Sequence, residues 1–176
     1  MIAHLSHQRE DCSKLSMLRR LLKTLGKFAK NKLTKQMSFY STILGVVCKD
    51  GVVLGTEKIV LNKMMVAGTD KRLYSINLNC GGVVNGLTPD GRSIIQRARE
   101  EGSQYASQFG IKAPSQVIAD RVAMQFQMKT IYNAYRPIGT SLIMAGHDAQ
   151  KGFTLYMVEP SGSCFQYYGC ASGRGK

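Results

Sequence analysis

The residues best suited to metal or thiol chemistry in this 176-residue chain are five cysteines and three histidines. The cysteines form no C-x-x-C pair and no cluster with histidine; they are Cys12, Cys48, Cys80, Cys164 and Cys170. Zinc sites need such ligands at short, regular spacing. An odd number of irregularly spaced cysteines is typical of reduced thiols inside the cell. We therefore predict no metal site and no cofactor, and we expect His4, His7 and His147 to be solvated.

The stretch Ser41–Lys58 has the pattern of a β-hairpin. Its two short runs rich in Val, Ile and Leu flank Asp50-Gly51, and a dipeptide of this kind favours a two-residue hairpin turn. Two further strands are predicted at Arg72–Ile76 and Gly81–Val84.

A helix is predicted directly after these strands. Thr88 is suited to the N-cap, Pro89 to the first helical position, and Asp90 to the positive end of the helix dipole. The helix is expected to end near Gly110. Its charged residues are predicted to form an outer face for subunit contacts; they are Arg92, Arg97, Arg99, Glu100 and Glu101.

A second helix is predicted from Ser115 to a point before Arg136-Pro137. We expect Met124, Phe126 and Met128 to pack in the core. Three strands are predicted after it, at Thr140–Ala145, Phe153–Val158 and Cys164–Tyr168. Four strands, two helices and three strands in that order predict a layered α+β fold.

The charge of the chain is concentrated near its start. Residues 1–37 hold nine Lys and Arg against two acids, for +7, while the remaining residues hold fifteen against nine, for +6. Leu15, Leu18, Leu22 and Leu25 lie at helical spacing among these cations, which predicts a basic amphipathic helix. We therefore divide the chain into a leader, 1–37, and a globular domain, 38–176. No apolar run reaches the ~18 residues of a membrane span, and we find no secretory signal.

Several motifs of the globular part resemble proteasome subunits of the α type. They are Lys49–Gly55 with Glu57-Lys58, Gly86-Leu87 followed by Asp90 and Arg92, Arg136-Pro137 with Gly139 and Ser141, and Pro160-Ser161-Gly162. Finer details resemble the alpha type-three branch: Lys71-Arg72-Leu73, Ala98–Glu101, Ala119–Met124 and Tyr168–Ala171. The resemblance extends from Ser41 to Lys176, and its several motifs occur in the family's order.

The resemblance implies the αββα sandwich of N-terminal-nucleophile hydrolases, with two antiparallel sheets between outer helices. The family's N-terminal Tyr-Asp pair and Ser-Pro-Asp-Gly-Arg turn have no match in residues 1–40. The family also continues well beyond the position of Lys176. We therefore expect an incomplete, C-terminally truncated domain. The leader has three interpretations: a targeting or surface-binding helix, a solvated helix, or a segment foreign to the family's fold.

The resemblance also implies which residues would carry catalysis. Catalytic subunits begin with a nucleophile whose own amine serves as the base. Here Ser41 follows Tyr40, Glu57 replaces the family's aspartate, and Arg72 or Leu73 takes the place of a lysine. Arginine stays protonated and cannot exchange protons at useful pH. We therefore predict a non-catalytic subunit.

For the same family, a basic residue at the start of the third strand lies in a pocket that receives an activator's C-terminal carboxylate. The resemblance implies such a pocket at Arg72, Gly86 and Leu87, since cation–carboxylate pairing suits this role. The expected partners are other proteasome alpha and beta subunits and the tails of activators or regulatory particles, in the cytoplasm and nucleus. Nucleic acid and membrane are not expected partners.

The sequence thus predicts a structural and gating subunit of the proteasome core particle, acting in ubiquitin-dependent degradation. One alternative is an N-terminal-nucleophile peptidase activated by processing before Ser41, which intact mass would reveal. Another is a nucleic-acid- or membrane-binding protein acting through residues 1–37. In that case binding would depend on salt and would disappear when the leader is deleted.

Overall fold

The computed structural model describes residues 41–58, 63–66 and 68–175. The predicted leader helix lies outside these residues. The described part has eight strands and two helices, which we number in chain order: β1 Ile43–Cys48, β2 Gly51–Thr56, β3 Leu73–Ser75, β4 Cys80–Gly86, α1 Thr88–Phe109, α2 Ser115–Ile131, β5 Thr140–Asp148, β6 Gly152–Val158, β7 Cys164–Gln166 and β8 Gly169–Ser172.

The strands form two antiparallel sheets. One sheet has the order β2-β1-β8, and the other has the order β3-β4-β5-β6-β7. A single strand at Cys164–Tyr168 was wrong, because β7 and β8 belong to different sheets. The chain crosses between the sheets at Tyr167 and Tyr168. The N–H of Tyr167 donates to Leu155 in one sheet, and the carbonyl of Tyr168 accepts from Val47 in the other.

Two apolar layers hold the sheets and helices together. The layer between the two sheets contains Ile43, Val83, Ile143, Leu155 and Met157. The layer between the five-stranded sheet and the helices is larger. It includes Ile95, Ala98, Ile118, Val122 and Phe126 from the helices, with Val84, Leu142, Met144 and Val158 from the sheet. This arrangement confirms the layered α+β fold. The described residues supply helices on one outer face of the predicted αββα sandwich.

The first hairpin forms as predicted, but its turn lies one residue earlier. Cys48 pairs with Gly51, so the two-residue turn is Lys49-Asp50. The observed pairing is shifted by two residues from the pairing that an Asp50-Gly51 turn would give. An even shift keeps the same side chains on the inner face of the sheet. The observed register extends to the edge of the hairpin, where the N–H of Glu57 donates to the carbonyl of Thr42 at 2.8 Å.

The bounds of α1 agree closely with the sequence. Its N-cap is Leu87 rather than Thr88, and no side chain caps it. Asp90 lies in the first turn, and its carboxylate faces the loop before β5, as described below. The helix ends at Gly110, whose φ of 67° is left-handed and whose N–H donates to Ala106. Glycine reaches this conformation without the steric cost that other residues carry.

Two predictions about helix faces were wrong. Glu101 is buried, because its carboxylate lies between Arg97 of α1, at 2.8 Å, and Arg121 of α2, at 3.0 Å. It therefore joins the two helices and does not belong to an outer charged face. Met124 and Met128 are 60% and 45% exposed, whereas Phe126 is fully buried. Helical spacing directs Phe126 to the sheet and turns the two methionines outward.

Candidate functional site

Ser41, the candidate nucleophile position, lies just before β1 and has no exposed surface. Its Oγ accepts a hydrogen bond of 2.7 Å from Nη1 of Arg72. Arg72 immediately precedes β3 and is 7% exposed, and its Nε lies 3.7 Å from Oδ1 of Asp70. The two residues are 31 positions apart in the chain, and the packing of the two sheets brings them together.

Glu57 lies next to Ser41 but contacts its neighbour. Oε2 of Glu57 accepts from the N–H of Thr42 at 3.3 Å, while the N–H of Glu57 donates to the carbonyl of Thr42. The Glu57 carboxylate therefore serves as a hydrogen-bond acceptor for the main chain just before β1. A guanidinium offers only donors, so Arg72 cannot take the proton of Ser41. Among the described residues, the hydrogen-bond partner of the Ser41 hydroxyl is this cation, while the Glu57 carboxylate is directed to the main chain of Thr42.

The three predicted pocket residues lie at one end of the β3–β4 pair. The carbonyl of Arg72 accepts from the N–H of Val84 at 3.1 Å. This hydrogen bond places Arg72 opposite the last residues of β4, close to Gly86. Gly86 ends β4 with a φ of 109°, and a Cβ there would lie 2.2 Å from the carbonyl oxygen of Gly139. Only glycine fits this position. Leu87 follows, and its N–H donates to the same oxygen at 3.0 Å. Their role in binding remains a prediction.

A cluster of three residues lies beside Gly86 and Leu87, and we call Asp90, Arg136 and Gly139 the Asp90 cluster. Oδ1 and Oδ2 of Asp90 each accept from the Arg136 guanidinium at 2.7 Å. Oδ2 also accepts from the N–H of Gly139 at 3.0 Å. The hydrogen bonds from Arg136 lower the pKa of Asp90 below its usual 3.8, although partial burial opposes this shift. Helix-dipole reasoning chose Asp90 but could not reveal the contact with Arg136, 46 residues away.

A second polar network lies under α2, and sequence reasoning missed it. Asp148, at the end of β5, accepts from the N–H of Ser115 at 3.0 Å and from its Oγ at 2.8 Å. The Ser115 hydroxyl also lies 2.8 Å from Oγ1 of Thr154. Pro114 at the N-cap has no side chain that could satisfy the first N–H groups of the helix. Asp148 supplies that capping carboxylate from another element.

Three of the described cysteines are thiols whose pKa is raised by burial. Burial raises the pKa of Cys80 to about 12, and of Cys164 and Cys170 to about 11, with nearby Asp148 and Asp120 adding to the shifts of Cys80 and Cys164 respectively. Among the described residues, no three His, Cys, Asp or Glu side chains come together as metal ligands could. Neither helix in this part of the chain has the length and apolar character of a membrane span.

Comparison with known proteins agrees with the fold and the motifs. Residues 39–176 match the proteasome subunit family. Proteasome subunit alpha type-3 of Spinacia oleracea is 44% identical over 135 residues, which cover 77% of this chain and 54% of the relative. The same subunit of Oryza sativa is 41% identical over 143 residues, covering 81% and 57%. The probable proteasome subunit alpha type-7 of Saccharomyces cerevisiae is 38% identical over 136 residues, covering 77% and 47%.

The chain spans about half the length of the curated relatives it matches. The matched residues contain both described helices and the eight described strands, together with Ser41, Arg72 and the Asp90 cluster. The chain therefore belongs to the proteasome subunit family, and its relatives assign it to the α-type subunits of the alpha type-three branch.

Proposed function

We propose that this chain is a non-catalytic subunit of the α ring of the proteasome core particle, with a structural and gating role in ubiquitin-dependent protein degradation. The observation that carries the proposal is the contact between Arg72 and Ser41. In the described part of the chain, this fully buried hydroxyl accepts from a guanidinium, which has no acceptor that could take its proton. The same contact argues against a peptidase activated by processing before Ser41.

The outward face of α2 supports a role in assembly. Met124, Met128 and Ile131 lie at helical spacing on this face, Tyr132 and Tyr135 follow the helix, and all five side chains are at least 45% exposed. Exposed apolar side chains grouped in this way are typical of contacts between proteins. In this proposal the face contacts other proteasome alpha or beta subunits.

The residues Arg72, Gly86 and Leu87 are proposed as a docking site for the C-terminal tail of an activator or regulatory particle. The cation of Arg72 is shielded from solvent, where its attraction to a carboxylate is stronger than in water. The Gly86–Leu87 backbone lies at the same end of the sheet. We also expect the chain in both cytoplasm and nucleus, where its assembly would act.

Affinity purification of the full 176-residue chain from the cells that express it tests the proposal. We expect other α and β proteasome subunits to co-purify, and we expect Ser41→Ala to leave the peptidase activity of the complex unchanged. A chain that elutes as a stable monomer without proteasome subunits would contradict the assembly role. A burst of peptide cleavage that Ser41→Ala abolishes would instead support the peptidase alternative.

A further inference from the structure

The Asp90 cluster has a consequence for the docking site. We propose that Asp90 is a positioning residue, whose carboxylate holds Gly139 so that Gly139 fixes the Gly86–Leu87 backbone for a carboxylate-bearing tail. This inference rests on the proposed docking role of Arg72, Gly86 and Leu87, and it adds a residue that would not itself touch the tail.

The first step is the contact between Asp90 and the loop before β5. Oδ2 of Asp90 accepts from the N–H of Gly139, and both carboxylate oxygens accept from Arg136. Hydrogen bonds between a carboxylate and a guanidinium in this two-point geometry define orientation as well as distance. Arg136 and Gly139 are therefore held on the first turn of α1.

The second step is the contact between that loop and the proposed docking site. The carbonyl of Gly139 accepts from the N–H of Leu87, and it occupies the space where a side chain at Gly86 would lie. The side chain of Leu87 packs against Gly139, since a Cβ on Gly139 would lie 2.8 Å from Cδ1 of Leu87. The next residue, Thr140, donates from Oγ1 to the carbonyl of Leu87 at 3.0 Å.

These contacts connect the charge of Asp90, through Gly139, to the backbone of Gly86 and Leu87. Leu87 is the N-cap of α1, so the segment that would meet the tail and the helix that carries Asp90 share a residue. Asp90 is the acidic residue of the first turn. A displacement of Gly139 would shift the carbonyl that contacts both Gly86 and Leu87. The effect of Asp90 on docking is thus expected to pass through Gly139.

The experiment uses the complex that co-purifies with the full chain, and it compares wild type with Asp90→Asn. Asparagine has the same shape, but it has one acceptor oxygen and an NH2 donor in place of two oxygens, so it loses the two-point pairing with Arg136. The probe is a short fluorescent peptide with a free C-terminal carboxylate, and the same peptide with a C-terminal amide is the ligand control. Fluorescence anisotropy gives both the Kd and the number of sites.

The matched control variant is Asp50→Asn. Asp50 is an exposed carboxylate in the turn between β1 and β2, and it does not belong to the Asp90 cluster. We expect Asp90→Asn to raise the Kd for the carboxylate peptide about tenfold with the number of sites unchanged. Asp50→Asn should bind like wild type. Amide hydrogen exchange at Leu87 should be faster in Asp90→Asn, while exchange at Gly110 should stay the same.

The outcomes separate the inference from the proposal beneath it. If wild type binds neither peptide, the proposed docking site is wrong and the inference falls with it. If wild type binds and Asp90→Asn binds equally well, only the inference is overturned. Fewer sites at an unchanged Kd would also overturn it, because that result shows a folding role alone. Should Asp90→Asn fail to assemble, Asp90→Glu provides the second comparison, because glutamate keeps the charge but its longer side chain moves the carboxylate relative to the N–H of Gly139.

Discussion

Arg72 donates a hydrogen bond of 2.7 Å from Nη1 to the Oγ of Ser41, and both residues are buried. The contact joins the start of the first strand in one sheet to the start of the third strand in the other. The resemblance to proteasome subunits implies that catalytic members of the family have a nucleophile and a catalytic cation at these two positions. Here the same positions hold a structural hydrogen bond.

Ser41→Ala is expected to lower stability without changing peptidase activity. The substitution removes an acceptor from a buried, charged donor, and such losses cost about 1–3 kcal/mol. Urea unfolding of the purified chain, followed by circular dichroism, measures the loss. Ser103→Ala is the control, since Ser103 is exposed on α1. Equal unfolding midpoints for Ser41→Ala and wild type would show that the contact contributes nothing.

Gly86→Ala is expected to be strongly destabilising. Its φ of 109° strains any residue with a Cβ, and that Cβ would lie 2.2 Å from the oxygen of Gly139. The backbone strain alone costs about 1–3 kcal/mol, and the steric contact adds to it. Gly51→Ala is the matched control, because nothing lies within 4 Å of a Cβ there. The prediction fails if thermal unfolding shows the two variants to be equally stable.

Asp148→Ala is expected to destabilise α2 by about 1–2 kcal/mol, because the first N–H of the helix and the buried Ser115 hydroxyl both lose a charged acceptor. Hydrogen exchange at the start of α2 should increase, while exchange within α1 should change little. Asp50→Ala, in the exposed turn of the first hairpin, is the control. Unchanged exchange at Ser115 would mean that Asp148 does not act as a cap.

Asp90 is expected to make stability depend on acid pH. Its pKa is lower in the folded chain than its usual 3.8, chiefly because of its hydrogen bonds from Arg136. A lowered folded pKa means that the stabilisation is fully present above the unfolded pKa. It is lost as pH falls from about 4 through the folded pKa. The free energy of unfolding of wild type should therefore fall more steeply below pH 4 than that of Asp90→Asn. Parallel curves for the two proteins would contradict this.

Local signals in the sequence were sufficient to predict most elements. Two runs rich in Val, Ile and Leu around Asp50-Gly51 located the hairpin, and Thr88-Pro89-Asp90 with Gly110 located α1 to within a residue at each end. These signals depend on backbone geometry within a few residues, so they survive without knowledge of the fold. The same signals failed at Cys164–Tyr168, because the strand pattern continues where the chain passes from one sheet to the other.

The long-range contacts were decided by tertiary structure alone. The sequence by itself determined the family and the order of elements from β1 to β6, since these depend on residue types in order. It did not determine that Arg72 meets Ser41, that Asp148 caps α2, or that Asp90 holds Gly139. Each pair is more than 30 residues apart, and its distance depends on how sheets and helices pack. Packing also decided that Glu101 is buried and Met124 exposed, because the direction of a helix face depends on what lies against it.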